Sequence, residues 1–256
     1  MPQLICKKIP EKAKIILISA TLTKASREIV EKLSEARTFV ESLTKTEALT
    51  LKNVKQFYIQ CEQNERFTEL DSLLKKVSAT NILVFANSKV LVNKLHEHLE
   101  GQSYKVASVM SSSVDKAEQA ERNQANITGF LQGKFRILIA TNLLSRGVDM
   151  RKVTLVVNLE LPRKFSDGQS QQSDVVKVDV ETYLHRVGRT GRYGDHGIAV
   201  NFVCTPNHKT MLDDITGHYK NEINLLKPAG YDEMEAELQG INSYNVKKRE
   251  HLGEDI

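Results

Sequence analysis

Between Tyr183 and Tyr193 the chain reads YLHRVGRTGRY. His185, Arg189 and Arg192 stand at i, i+4 and i+7, which at about 3.6 residues per turn sets three cationic or cationisable side chains in one stripe on a short helix. Such a stripe suits an anion. A second chemically equipped segment, TNLLSRGVD, occupies residues 141–149 directly after the apolar run FRILIA. It offers a hydroxyl at Thr141, a cation at Arg146, a flexible backbone position at Gly147 and a carboxylate at Asp149. Glycine permits close approach to a phosphate or sugar, and the aspartate can accept hydrogen bonds from a ribose. Each segment also has a plain structural reading. Asp149 can cap a turn with Arg146 solvated, and the arginines of the stripe can pair with acids such as Glu181.

These residues need a frame to hold them. Short β-branched runs at 15–19, 55–60, 81–86, 104–109, 135–140, 153–158 and 198–203 alternate with helical patterns near 24–34, 65–77, 88–100, 114–132, 179–190 and 207–219. Strands apolar on both faces, separated by helices, predict an α/β fold with a parallel sheet covered on both sides. In such sheets ligands bind beyond the carboxyl ends of the strands, and FRILIA ends at Ala140, so TNLLSRGVD falls where a site is expected.

Two polar segments break the alternation. Residues 41–53 read as a linker and residues 162–179 as an insertion between a strand and the basic helix. The first apolar run, IILIS, is left without sheet partners in its own segment, so it is expected to belong to another domain whose remainder is missing from this chain. After Lys227 the pattern predicts one amphipathic helix near 231–239 and then a polar tail.

Composition narrows the class. With 36 Lys and Arg against 32 Asp and Glu, the net charge is +4 and the pI is about 8.8, a modest attraction to polyanions that leaves specificity to local clusters. Cys6, Cys61 and Cys204 are far apart and form no CxxC or zinc-ligand spacing, which argues against a disulfide framework or a metal centre and for a reducing compartment. No apolar run reaches the roughly 18–20 residues needed to span a bilayer, and the N-terminus lacks a secretory pattern, so a soluble intracellular protein is expected.

Taken in order, SAT (19–21), LVFANS (83–88), QAER (119–122), TNLLSRGVD (141–149) and HRVGRTGR (185–192) resemble motifs III to VI of the DEAD-box RNA helicases. The resemblance covers about residues 10–225. It implies a terminal strand-helix fragment of a first RecA-like domain at 1–40, a linker at 41–53, a second RecA-like (helicase C-terminal) domain at 54–227, and a C-terminal helix and polar tail at 228–256. By the same resemblance, Arg189 and Arg192 act as arginine fingers on the γ-phosphate of ATP, and Gly147 and Asp149 meet the ribose and a nearby phosphate. His185 is implied to link to the SAT segment, where Ser19 and Thr21 couple the state of ATP to domain closure. The RNA contacts implied are Asn87, Ser88, Gln119, Arg122 and Thr141. The preceding strand ends in Met110-Ser111, where family members usually carry His-Gly.

The chain contains neither a GxxxxGK[ST] phosphate loop nor a DEAD-type acidic motif. The grip on ATP and Mg²⁺ is therefore expected to come from a first RecA-like domain, with ADP as product, no metal ligand in this chain and little or no ATP hydrolysis by the chain alone. The contrasting expectation is a non-catalytic module, derived from a helicase domain, that binds RNA or a protein. A narrower resemblance rests on the insertion containing DGQ (167–169) and on the ending HYKNEINLLKPAGYDEMEAEL (218–238). These look like the DEAD-box helicase that remodels exported messenger RNA at the nuclear pore. That resemblance implies a monomer found in cytoplasm or nucleus, including the nuclear pore, and working with pore or mRNA-export regulatory proteins away from any membrane.

Overall fold

The computed structural model describes residues 51–111, 116–142, 150, 152–164, 176–191 and 194–252, all within a unit spanning 49–256. The expectations for IILIS, for the helix near 24–34 and for SAT lie outside these residues. Among the described residues, seven strands and six α-helices follow in chain order: β1 (Val54–Gln60), α1 (Arg66–Lys76), β2 (Ile82–Phe85), α2 (Lys89–Gly101), β3 (Val106–Val109), α3 (Lys116–Leu131), β4 (Ile137–Ala140), β5 (Leu155–Asn158), α4 (Val180–Val187), β6 (Gly197–Val203), α5 (Pro206–Tyr219), β7 (Asn224–Leu225) and α6 (Tyr231–Leu252). The strands form one sheet in the order β3-β4-β2-β5-β6-β1-β7. Every pairing is parallel. All the carboxyl ends of the strands therefore lie along one edge. This is the RecA-like α/β architecture that the alternating pattern and the motifs predict.

Strand periodicity of two sorts the core into layers. On one face Ile82, Val84, Ile137, Ile139, Leu155, Val157, Ile198 and Val200 meet Leu70, Leu73 and Leu74 of α1, Leu91, Val92, Leu95 and Leu99 of α2, and Met234 and Leu238 of α6. On the other face Leu83, Phe85, Leu138, Ala140 and Val156 take Ile127 and Phe130 of α3. Farther along that face, Val54, Ala199 and Val203 take α4 and α5. Three residues in the strands break the apolar rule there: Gln56, Asn158 and Asn201 are all buried, and the two asparagines lie directly opposite one another in register.

Three differences from the sequence expectations have local causes. Helix α4 stops at Val187, with Gly188 at its C-cap, and does not reach 190. The final helix runs on to Leu252 where a polar tail is expected after 239. Its second half docks through polar groups that leave no apolar period: Asn245 bonds the N–H and C=O of His196 at 2.9 and 2.9 Å, and Arg249 meets Asp195 at 2.6 Å. At the other end, Leu51 of the expected linker is buried in the core, and the Asn53 carbonyl accepts the Gly197 N–H at 3.1 Å.

Candidate functional site

The centre of the site is a residue the motif reading passes over. Arg186 is 0% exposed. Helical side chains lean toward the N-terminus of their helix, and from α4 the guanidinium reaches back to three strand ends at once. It donates to Asn142 Oδ1 just after β4 at 3.0 Å, to Asn158 Oδ1 on β5 at 3.2 Å and to the Glu160 carbonyl at 2.7 Å. A further bond goes to Asn87 Oδ1 after β2 at 2.7 Å, and the cation lies over the Phe85 ring, 5.1 Å from its centroid. Burial pushes the guanidinium down to about 9, which leaves it charged at neutral pH. The spacing held a signal for this: Tyr183, Arg186 and Val187 stand at i, i+3 and i+4, the buried face of α4.

The polar chain continues through the sheet. Asn158 Nδ2 donates to Asn201 Oδ1 at 2.9 Å, Asn201 Nδ2 donates to Phe57 O at 3.0 Å and the Tyr183 hydroxyl donates to Gln56 Oε1 at 2.6 Å. Every member has a partner, the condition for keeping polar groups inside a core. Gln56, Asn158 and Asn201 were not legible as site residues, because single amides in apolar runs carry no period of their own.

Arg186 gathers part of the expected RNA set. Asn87 is held on all sides: its N–H donates to Glu160 Oε2 at 2.8 Å, its Nδ2 to Leu161 O at 2.8 Å, and its Oδ1 accepts from Arg186. Ser88 is the N-cap of α2, accepting the Leu91 N–H at 3.2 Å. Thr141, half-buried at the end of β4, donates its N–H to Val109 O at 3.3 Å. Gln119 bonds Asn123 at 3.0 Å, and buried Asn123 in turn accepts from the Met110 N–H and donates to the Met110 carbonyl, closing the end of β3. The ends of β3, β4, β2 and β5 are consecutive in the sheet, so these groups form a row about 15 Å long at the usual strand spacing. Arg122 is exposed on α3 and paired with Glu118 at 2.5 Å, the solvated-face arrangement.

Within the described residues, Arg189 does not continue the helix as the spacing predicts. Because α4 ends at Val187, Arg189 sits in the following turn, 2% exposed, its Nε donating to the His185 carbonyl at 3.3 Å. Glu181 approaches His185 Nε2 at 3.6 Å, so the acid meets the histidine of the stripe. Two glycines make the turn possible. Gly191 has φ +68 and lies so near Val54 that a Cβ would come within 2.6 Å, while a Cβ on Gly197 would fall 1.8 Å from Thr190 Oγ1. The turn therefore lies by the amino ends of β1 and β6, because α4 is the crossover that runs from the carboxyl edge to the amino edge. Asn87, Ser88 and Thr141 thus lie at the carboxyl ends of the strands, whereas Arg189 lies toward the amino ends. Ser19, Thr21, Gly147, Asp149 and Arg192 lie outside the described residues.

The comparisons with known proteins agree with this architecture. The family described as "Helicase conserved C-terminal domain" matches residues 65–194. Eukaryotic initiation factor 4A of Dictyostelium discoideum is 34% identical over 217 residues, covering 84% of this chain and 48% of that protein. The chain thus spans about half the length of such a relative. Among solved structures, S. cerevisiae Dbp5 bound to RNA and ADP BeF3 superposes with a TM-score of 0.74 at 27% identity, over 93% of this chain and 57% of that one. S. cerevisiae Dbp5 L327V bound to Nup159, Gle1 H337R, IP6 and ADP gives a TM-score of 0.66 at 25% identity, over 93% and 57%. From the family match and the relatives together, the chain belongs to the DEAD-box RNA helicases and carries their conserved helicase C-terminal domain.

Proposed function

We propose that this chain supplies the second half of a composite ATP site and part of an RNA-binding surface, and that it works with a first RecA-like domain to couple ATP hydrolysis to RNA unwinding or RNA-protein remodelling. The observation that carries the reading is the Arg186 node. It ties the strand ends bearing Asn87, Ser88 and Thr141 to the helix that bears His185 and leads into Arg189.

In this reading the row of strand ends holds the sugar-phosphate backbone, so RNA affinity depends on salt and little on base sequence. Ser88, Gln119 and Thr141 make the contacts, Arg122 contributes charge once it leaves Glu118, and Asn87, whose polar groups are committed internally, positions its neighbours. At the far end of α4, Arg189 and Arg192 face the γ-phosphate when ATP is presented and stabilise charge as the terminal phosphoryl departs. Gly147 and Asp149 hold the ribose side, and His185 with Ser19 and Thr21 transmits closure. Among the described residues no group of three or more His, Cys, Asp or Glu could hold a metal. Because the sequence carries no DEAD-type acidic motif, we assign Mg²⁺ to a first RecA-like domain and route no step of this chain's chemistry through it. By itself the chain turns over little or no ATP.

By the narrower resemblance we assign the parent protein to messenger RNA export, acting as a monomer near the nuclear pore with regulatory proteins of the kind bound to Dbp5. The test joins this chain to a matching first domain and measures RNA-stimulated ATP turnover. Arg189→Ala and Arg192→Ala are each expected to lower kcat by about 10³ or more, with little change in ATP affinity. Unchanged kcat in both variants would overturn the arginine-finger assignment, whereas RNA binding with no stimulation of turnover by this chain would favour a non-catalytic RNA- or protein-binding module.

A further inference from the structure

Cys61 and Cys204 are 143 positions apart in the chain, yet their sulfur atoms lie 3.6 Å apart. The pair stands one step beyond the β1–β6 ladder. Gln60 is in register with Val203, and the Cys61 N–H donates to the Val203 carbonyl at 3.3 Å, so Cys61 and Cys204 face one another directly. Neighbouring strands run about 4.8 Å apart, inside the Cα separation of about 4.4–6.8 Å that a disulfide spans. Bonded sulfurs are about 2.05 Å apart, so closure needs the two thiols to approach by about 1.5 Å, a small rotation of two short side chains. Both residues are partly exposed and carry free thiols, which gives a small reagent access.

We propose that Cys61 and Cys204 form a dithiol modification site, closed to an intramolecular disulfide by a small disulfide oxidant of the oxidised-glutathione class. In the first step one cysteine thiolate attacks a sulfur of the oxidant, forming a mixed disulfide and expelling one glutathione thiolate. In the second step the other cysteine attacks the protein sulfur of that mixed disulfide and expels the second glutathione thiolate. The two cysteine protons pass to the two departing thiolates. The two cysteines are oxidised and one glutathione disulfide is reduced to two thiols.

The surroundings give the exchange a direction. Burial raises both thiols, Cys61 to about 12, and the charge of Cys204 disfavours a second thiolate beside it. The Arg66 guanidinium favours the charged form of Cys204, against the nearby carboxylates of Glu160 and Glu62. Cys204 is thus the attacking sulfur and Cys61 the resolving one. The closed bond would join β1 to β6 beside two anchored features. One is the α5 cap, where the Cys204 N–H donates to His208 Nδ1 at 3.2 Å; the other is the Arg66–Glu160 pair at 3.6 Å. It would restrain the strand ends next to the proposed RNA row, an effect that a reductant reverses.

The experiment uses the full chain with Cys6→Ser, leaving only this pair, equilibrated with excess oxidised glutathione and mapped by mass spectrometry without reduction. The expected product has lost the mass of two hydrogens, contains a Cys61–Cys204 cross-linked peptide and returns to two free thiols with dithiothreitol. Adding Cys61→Ser should leave one glutathione on Cys204, and adding Cys204→Ser should leave Cys61 reacting at least several-fold more slowly. The assignment of the site is overturned if both thiols remain alkylatable at equilibrium, or if glutathione stays attached to the two-cysteine chain without closure. The assignment of roles is overturned if Cys61 alone reacts as fast as Cys204 alone. Circular dichroism of each serine variant confirms that the comparison is made on folded protein.

Discussion

Arg186 and Arg189 occupy one motif and have opposite duties. Arg186 satisfies four side-chain or backbone acceptors inside the core, while Arg189 turns back to its own helix end, where a cation also meets the negative end of the helix dipole. Removing Arg186 strands an acceptor on buried Asn158 and acceptors on part-buried Asn142 and Asn87, and a buried acceptor left unmade costs about 1–3 kcal/mol. Arg186→Ala is therefore expected to lower unfolding stability by about 3 kcal/mol or more in urea. Arg186→Lys should recover only a minor part, because an ammonium cannot reproduce the planar fork that spans these partners. A Lys variant as stable as the parent would show that charge, not geometry, matters there.

At the scale of elements, α6 is an integral layer of the fold. Its apolar half enters the core through Tyr231, Met234 and Leu238, and its Glu235 accepts the Ser78 N–H at 2.7 Å at the end of α1. Burial alone would raise the Glu235 carboxyl, but the bonds from Ser78 outweigh it and hold the group below its ordinary value of 4.5. A carboxylate with a depressed folded pKa stabilises the protein above its unfolded pKa and loses that contribution as pH falls through the folded value. The contribution is thus expected to be complete at pH values well above 4.5 and to be lost as pH falls below that value, through the depressed folded pKa. Urea midpoints across that range should show a shallower loss for Glu235→Gln than for the parent. Equal slopes would place the acid sensitivity elsewhere.

For the whole molecule, the described residues form one unit that is docked from Leu51, near the start of the described chain, to the Arg249–Asp195 pair, near its end. A chain trimmed to residues 49–252 is therefore expected to keep the urea midpoint of the full chain and its RNA affinity at matched salt. A chain trimmed at 239 should lose the Asn245 and Arg249 contacts and unfold at lower urea. Matching midpoints for the two truncations would mean that the second half of α6 adds nothing to stability.

The alternation of β-branched runs with helical periods determined a parallel α/β sheet, and the order of the motifs determined the family. Both signals are local: a period of two or 3.6, or a run of a few residues, survives without knowledge of the fold. What joins the site together is not local. Asn87 and Arg186 are 99 positions apart, and Cys61 and Cys204 are 143 apart. Single polar residues of this kind leave no period in the chain, and their partners are chosen only when the strand order brings their ends side by side. The same cause explains the stripe. Spacing alone put His185, Arg189 and Arg192 on one helix, but Gly188 ends that helix, and the packing of Gly191 against Val54 and of Thr190 against Gly197 decides where Arg189 lies. The residue types were readable in the sequence, whereas their partners, and with them the division of labour between Arg186 and Arg189, were decided by the tertiary structure.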